Sequence, residues 1–325
     1  FTLTATNAYG KVVKTITVDV VDSVVKETED IISADFLNEE TRPELPTGTG
    51  SATATYTENG LHMTTSSSES GTMYYQTTFA KALTGIVTTD IAFSIGLNNK
   101  QFINLFFLYN SAFSGNPVAN VAVSTTSGGS KTYIQYRGSS GSWVNQSYNG
   151  TTIELVKGDE NVYTIRVICD FDAKQLYIYL FGSPILLGSE QMTIPEEGIY
   201  IGSYGFRTPN TDAQGFRCGI DKKGSIDFTL ASIKMYRSNV PVFATEPSSE
   251  ELTLVDGQAE TTLSYVLLNG NAVISCEQES VMIDGNKVTF TAAGEYTLTI
   301  TATNDLLDTK VTKTVKIIVK EQSAE

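Results

Sequence analysis

The 325 residues read as an all-β chain made of more than one stacked-sheet module, and three observations say so. The first is a repeat: Phe1–Val20 (FTLTATNAYGKVVKTITVDV) returns near the far end as Leu298–Val319 (LTITATNDLLDTKVTKTVKIIV), with two extra residues in the turn. Both copies alternate apolar and polar residues with many β-branched side chains, the pattern of two half-buried strands joined by a hairpin. The second is a succession of short alternating segments, separated by turn residues and lacking a helical period. The third is composition. Hydrophobic residues make up 41% and charged residues only 18%, a mixture that supports buried cores and a surface of hydroxyls and amides.

In chain order, residues 1–22 are expected to be the closing hairpin of a module whose earlier strands lie outside this chain. Val21–Asp30 reads as a charged connector. Strands are predicted at Gly50–Tyr56, Gly60–Thr65, Gly71–Phe79, Thr89–Ile95, Ile103–Tyr109, Val118–Ser124, Lys131–Tyr136, Val162–Asp170, Gln175–Phe181, Gly198–Ser203 and Ser225–Tyr236. Strands of this length and spacing indicate a sandwich or barrel. The run from Val162 to Phe181, broken at Phe171–Lys174, is a hairpin pattern. Ser238–Ser249 carries two of the eight prolines and marks a boundary. Beyond it come about seven short segments: Leu252–Val255, Glu260–Leu267, Ala272–Ser275, Val281–Asp284, Lys287–Phe290, Gly294–Asn304 and Thr309–Val319. Asp284-Gly-Asn fits the tight turn between two of them.

The stretch Gly294–Asn304, G-E-Y-T-L-T-I-T-A-T-N, resembles the penultimate strand of bacterial immunoglobulin-like modules of the PKD and BIg type. The first 22 residues are similar from their T-A-T-N onward. The resemblance implies a small immunoglobulin-like sandwich over 246–321, a partial one over 1–22, and an extracellular spacer role. The segment 31–237 resembles concanavalin A-like or laminin G-like jelly rolls attached to bacterial polysaccharide-degrading proteins. The similarity is carried by Asp90-Ile-Ala-Phe-Ser-Ile, by V-Y-T-I-R-V-I-C-D-F-D-A-K-Q-L-Y-I-Y-L from Val162, and by I-D-F-T-L-A-S-I-K-M-Y from Ile226. It implies a central jelly-roll β-sandwich and one structural calcium near the first and last strands, with Asp35 and Asp227 as carboxylate ligands.

Several function classes are disfavoured. The formal net charge of −14, from 22 basic and 36 acidic side chains, argues against nucleic acid or anionic membrane as partner. No apolar run approaches membrane-spanning length, so membrane insertion is not expected. The single histidine, His62, sits in a strand-like alternation and leaves little room for imidazole chemistry. Cys169, Cys218 and Cys276 form no CxxC or Cys/His cluster, which argues against zinc; a Cys169–Cys218 bridge is conceivable, with buried free thiols preferred. Paired acids on one strand face, as a jelly-roll hydrolase needs, are lacking: Glu196 and Glu197 are adjacent and point apart, and Glu277 and Glu279 fall in the C-terminal module. No catalytic residue is therefore expected.

Sugar recognition by a sandwich needs aromatic faces for C–H surfaces and planar polar groups for hydroxyls. Trp143, the only tryptophan, lies in the Gly/Ser-rich stretch Tyr136–Gly150, read as a loop or hairpin tip, where Tyr136, Arg137, Asn145, Gln146 and Tyr148 could converge with it. The alternative is that Trp143 is a core anchor. A second long loop is expected over Ser203–Cys218, with Tyr204, Phe206, Arg207, Asn210, Asp212, Gln214, Phe216 and Arg217. Arg207 and Arg217 are suited either to a uronic acid carboxylate or to neutralising nearby acids. The expected ligand-binding set is Tyr136, Arg137, Trp143, Tyr148, Tyr204, Phe206, Arg207 and Arg217. The expected function is non-catalytic binding of a polysaccharide, a pectic or other plant cell-wall polymer first, by a monomeric segment of a longer secreted or cell-surface bacterial chain. The rival readings are an adhesin or stalk segment that binds a protein or serves only as spacer, and a polysaccharide lyase or glycoside hydrolase with an atypical site.

Overall fold

A computed structural model describes residues 2–7, 10–15, 28–66, 70–110, 113, 115–126, 129–304 and 309–322, and these contain strands and turns with no helix. The expected all-β architecture is present. Two large antiparallel sheets face one another as a jelly-roll sandwich. The first runs in the order Glu190–Met192, Ile185–Leu187, Thr151–Leu155, Thr132–Arg137, Ala119–Thr125, Phe102–Tyr109, Ala213–Lys223, Ser70–Leu83, Thr49–Gly50. Short strands Trp143–Asn145 and Ser147–Tyr148 branch from it. The second runs Ile199–Gly205, Gln175–Gly182, Gly158–Asp170, Ile86–Ile95, Ile226–Ser238, Gly60–Thr65, Thr53–Thr57, with Thr28–Asp35 also paired to Ile226–Ser238.

Alternation along each strand decides what fills the space between the sheets. Phe93, Tyr163 and Phe228 from one sheet and Phe106 and Phe216 from the other are all fully buried in a single apolar cluster. Burying such a side chain contributes about 1.5–3 kcal/mol. Tyr163 buries its hydroxyl with partners in place: it donates to the Pro184 carbonyl at 2.9 Å and accepts from the Val156 N–H at 2.9 Å. Burial pushes its pKa up to about 12. Cys169 and Cys218 are buried free thiols in this same cluster, raised by desolvation.

The predicted hairpin closes with Asp170 opposite Gln175. Asp170 Oδ1 accepts the N–H groups of Asp172 and Ala173, and Lys174 takes φ +55° to complete the turn. The central strands fall close to their predicted spans. Strand Ala213–Lys223 does not: its first half falls within the expected loop Ser203–Cys218, yet it lies between Phe102–Tyr109 and Ser70–Leu83. Glycines hid it. At Gly219 the register shifts, φ is +149°, and a Cβ would stand 2.2 Å from the Met73 carbonyl oxygen. A strand that must carry a glycine there reads as a turn.

A second apolar cluster, centred on Phe290, Tyr296, Leu298, Ile300 and Ile317, belongs to a smaller sandwich beyond Ser238. Its four-stranded sheet runs Glu250–Thr253, Thr309–Lys320, Gly294–Asn304, Asn271–Ser275, the first pair parallel; Ala259–Thr262, Lys287–Phe290 and Val281–Asp284 form a three-stranded one. Asp284 pairs with Lys287 across Gly285 (φ +58°) and Asn286, the two-residue turn the sequence indicated. Near the start of the chain, Thr2–Asn7 pairs with Gly10–Thr15, as Gly294–Asn304 pairs with Thr309–Lys320, so the repeated sequence makes the same ladder twice. Residues 16–27, including most of the expected connector, lie outside the described residues. The two sandwiches meet where Ile168, Tyr177 and Tyr179 pack on Ala244 and Leu268. There the Tyr179 hydroxyl lies 2.9 Å from the Ala244 carbonyl.

Candidate functional site

The outward face of the larger sheet is where chemistry-bearing side chains gather. On strand Thr132–Arg137, Thr132, Ile134 and Tyr136 are buried between the sheets, which turns Tyr133, Gln135 and Arg137 outward. Trp143 pairs with Arg137, and Val121 with Tyr136, so Asn120 falls beside Arg137. Asn120 pairs with Phe107, Phe107 with Arg217, and Arg217 with Gln76. Trp143, Arg137, Asn120, Phe107, Arg217 and Gln76 thus form one row across six strands. Such rows bring side chains within reach of one another.

A groove of about 510 Å³ runs over the Trp143 end and is lined by Phe102, Phe107, Gln135, Arg137, Trp143 and Arg207, with Gln101, Asn104 and Ser124 completing it. Trp143 is half-buried. Its ring meets Phe102 edge-on at 4.7 Å and Phe107 at 6.3 Å, which fixes the indole while leaving it part of the lining. The Arg137 guanidinium stands 5.8 Å from the indole centroid, and its Nε donates to the Gly141 carbonyl. Arg207 is placed by its own backbone N–H, which donates to the Val118 carbonyl at 2.9 Å, and its guanidinium donates to Asn116 Oδ1. Burial lowers the Arg207 pKa, and the nearby Arg137 charge lowers it further. Among the described residues no ion pair uses Arg137, Arg207 or Arg217.

Asn120 is the unusual member of the row. It is fully buried, and neither its amide nitrogen nor its amide oxygen has a hydrogen-bond partner. Leaving such groups unsatisfied costs about 1–3 kcal/mol. At the opposite end, Arg217 is held among rings, with its guanidinium carbon 4.2 Å from Phe113, 4.8 Å from Tyr74 and 5.7 Å from Tyr109. Its Nε donates to Gln76 Oε1 at 2.9 Å. Gly215 makes room for this cage, since a Cβ there would lie 2.9 Å from the Phe113 ring.

The structure therefore divides the expected binding set. Arg137, Trp143 and Arg207 come together on the groove, and Arg217 sits farther along the same row. Tyr136, Tyr148, Tyr204 and Phe206 do not join them. Tyr136 points between the sheets, stacks on Tyr204 at 4.4 Å and donates to the Gly205 carbonyl; burial raises it to about 12. Tyr148 packs on the sandwich core, and Phe206 is buried edge-on against Phe171 at 5.4 Å. Alternation explains the split, because Tyr136 and Arg137 are neighbours on a strand and must face opposite ways. Trp143 belongs to a short strand rather than a loop tip, and the second expected loop shrinks to residues 206–212 between Ile199–Gly205 and Ala213–Lys223. Asn120, Phe102, Phe107, Tyr109 and Phe113 escaped the sequence reading. Phe102, Phe107 and Tyr109 sit at outward positions of F-I-N-L-F-F-L-Y, whose near-continuous apolar character masked the alternation.

Asp35 and Asp227 do not form a shared calcium site. Asp35 is exposed opposite Ser232, five positions along the strand from Asp227, or about 16 Å at ~3.3 Å per residue. Asp227 is committed elsewhere: its Oδ1 lies 3.1 Å from His62 Nε2, Oδ2 accepts the Asn98 N–H, and a Cβ on Gly96 would collide with the carboxylate. Among the described residues no three His, Cys, Asp or Glu side chains are placed to hold a metal.

No family model matches the chain, and no curated protein matches it. Solved structures similar to it include peanut lectin with a nine-residue peptide, at 13% identity and TM-score 0.39, covering 65% of this chain and 97% of that one. The Emp47p carbohydrate recognition domain is similar at 14% identity and TM-score 0.38, covering 65% of this chain and 95% of that one. Lectin II from Ulex europaeus is similar at 13% identity and TM-score 0.38, covering 64% of this chain and all of that one.

Proposed function

We propose that this chain binds a carbohydrate without transforming it, and that the sugar lies on the outward face of the larger sheet along the row from Trp143 to Gln76. The observation that supports this is the row itself. A fixed indole with phenyl rings beside it, together with the Arg137, Arg207 and Gln135 side chains that line the same groove, provides stacking surfaces and hydroxyl partners in one place. The groove lining includes no carboxylate, so it offers neither the acid nor the nucleophile that glycoside hydrolysis uses. An open groove that buries little of its ligand supports modest affinity. In the same reading the division is 31–237 for the binding module, 246–321 for an immunoglobulin-like spacer and 1–22 for the end of another. The setting is a secreted or surface-attached bacterial protein.

Electrophoresis through gels cast with a panel of plant, microbial and host polysaccharides tests the reading. The wild-type protein is retarded by at least one polymer, and Trp143→Ala runs freely through that same gel. Free migration of the wild type in every gel would leave the spacer or protein-binding alternatives; release of reducing or unsaturated sugars would make the protein an enzyme.

A further inference from the structure

Resting on that reading, we propose that the recognised sugar is acidic, and that Arg137 and Arg207 clamp the carboxylate of a uronic acid whose ring stacks on Trp143. The charge balance is the first argument. The chain carries a formal charge of −14 and six arginines, and three of those lie on this one face. Arg137 and Arg207 line the same groove, and no carboxylate among the described residues pairs with either. Two guanidinium groups side by side repel, and burial of one makes the repulsion harder to screen. An anion between them reverses the sign of that contribution.

Asn120 is the second argument, independent of charge. A fully buried amide with no partner is retained at a cost in stability, and departures of that kind gather at functional sites. It stands in the register between Arg137 and Phe107, both of which line the groove, while Asn120 itself is not part of that lining.

Spacing argues for a carboxylate attached directly to the sugar ring. Arg137 and Trp143 are on adjacent strands, ~4.8 Å apart in the hydrogen-bonding direction. A pyranose stacked on the indole therefore carries its own ring carboxylate to the guanidinium, whose planar fork matches it. A sulfate ester hangs from a longer, rotating arm and fits the spacing less well. Arg217, stacked among three rings and bonded to Gln76, serves as a platform farther along rather than as a second jaw.

Calorimetric titration of the whole chain with oligogalacturonate and oligoalginate tests the proposal, alongside their methyl-esterified and carboxyl-reduced forms and a sulfated galactan. One of the two uronate probes binds, its esterified and reduced forms bind at least tenfold more weakly, and raising the salt weakens only the acid form. Arg137→Gln and Arg207→Gln each lose about tenfold or more on the acid, the expected loss for a charge-assisted hydrogen bond, and lose clearly less on the reduced form, which keeps only neutral contacts. Circular dichroism and melting temperature establish that these variants fold. Equal affinity for acid and reduced forms, or tighter binding of the sulfated galactan, overturns the carboxylate clamp. Retention on neutral-polymer gels with no uronate binding also overturns it while leaving sugar binding intact. Absence of retention on any gel removes both readings.

Discussion

Trp143 and Arg137 face each other across paired strands, with the guanidinium 5.8 Å from the indole centroid. The indole edge packs on Phe102, so neither partner is free to swing away from the groove. Replacing Trp143 with alanine removes a stacking surface whose worth in other sites is about 1–3 kcal/mol, or roughly a 5- to 150-fold loss of affinity. Because Trp143 is half-exposed and outside the main core, its melting temperature stays close to wild type. Isothermal titration and differential scanning calorimetry of the same preparation check both halves of this expectation.

Asn120→Val should make the protein more stable. The variant removes two unpartnered polar atoms from a fully buried position, a gain of about 1–3 kcal/mol before packing losses. Thermal unfolding should then move to higher temperature. A lower melting temperature would show that the amide has a structural partner.

The chain's single histidine predicts a specific pH response. The Asp227 carboxylate, with Oδ1 3.1 Å from His62 Nε2, raises His62 above its ordinary value of 6.5, and the imidazole in turn lowers Asp227 below its ordinary 3.8. A raised histidine stabilises the fold below its unfolded pKa, and that contribution is lost as pH climbs through the folded one. A depressed carboxylate contributes above its unfolded pKa and loses that contribution as pH falls through the folded one. The pair is therefore worth most between about pH 4 and 6.5. Melting temperatures should decline from pH 6 to 8 in the wild type, and His62→Gln should flatten that decline.

Gly219→Ala should destabilise the sheet that carries the row. The new Cβ would meet the Met73 carbonyl oxygen at 2.2 Å from a backbone at φ +149°. Strain of this kind costs about 1–3 kcal/mol, visible as a lower denaturation midpoint. Gly85→Ala, in φ +67° but with open space around it, should cost less.

Tyr179→Phe removes the hydroxyl that reaches the Phe243 and Ala244 carbonyls, at 3.1 and 2.9 Å, where the two sandwiches meet. Loss of about 1 kcal/mol at that contact should speed proteolysis within 238–249 without altering glycan affinity. Mass spectrometry of limited digests reads both the site and the rate.

Strand existence was legible because alternation is a local property, and Val162–Asp170 with Gln175–Phe181 shows it directly. Side-chain facing was legible in principle at Tyr136 and Arg137, whose adjacency forbids a shared face, but composition drew both into one expected site. Row membership was not legible. Asn120, Phe107 and Arg217 become neighbours only through long-range register, and the shift at Gly219 that aligns Arg217 with Phe107 leaves no pattern in the sequence. The pairing of Asp35 with Asp227 failed for a related reason: Asp227 is engaged by His62, a partner 165 positions away.

Intrinsic fluorescence gives the most direct test of the central claim, since Trp143 is the only tryptophan and lines the groove. Titrating in a glycan that retards the protein in gels should shift or quench the indole emission saturably, with the same midpoint as the calorimetric binding curve. Saturating calorimetric binding with an unchanged emission spectrum would place the sugar elsewhere and contradict the account.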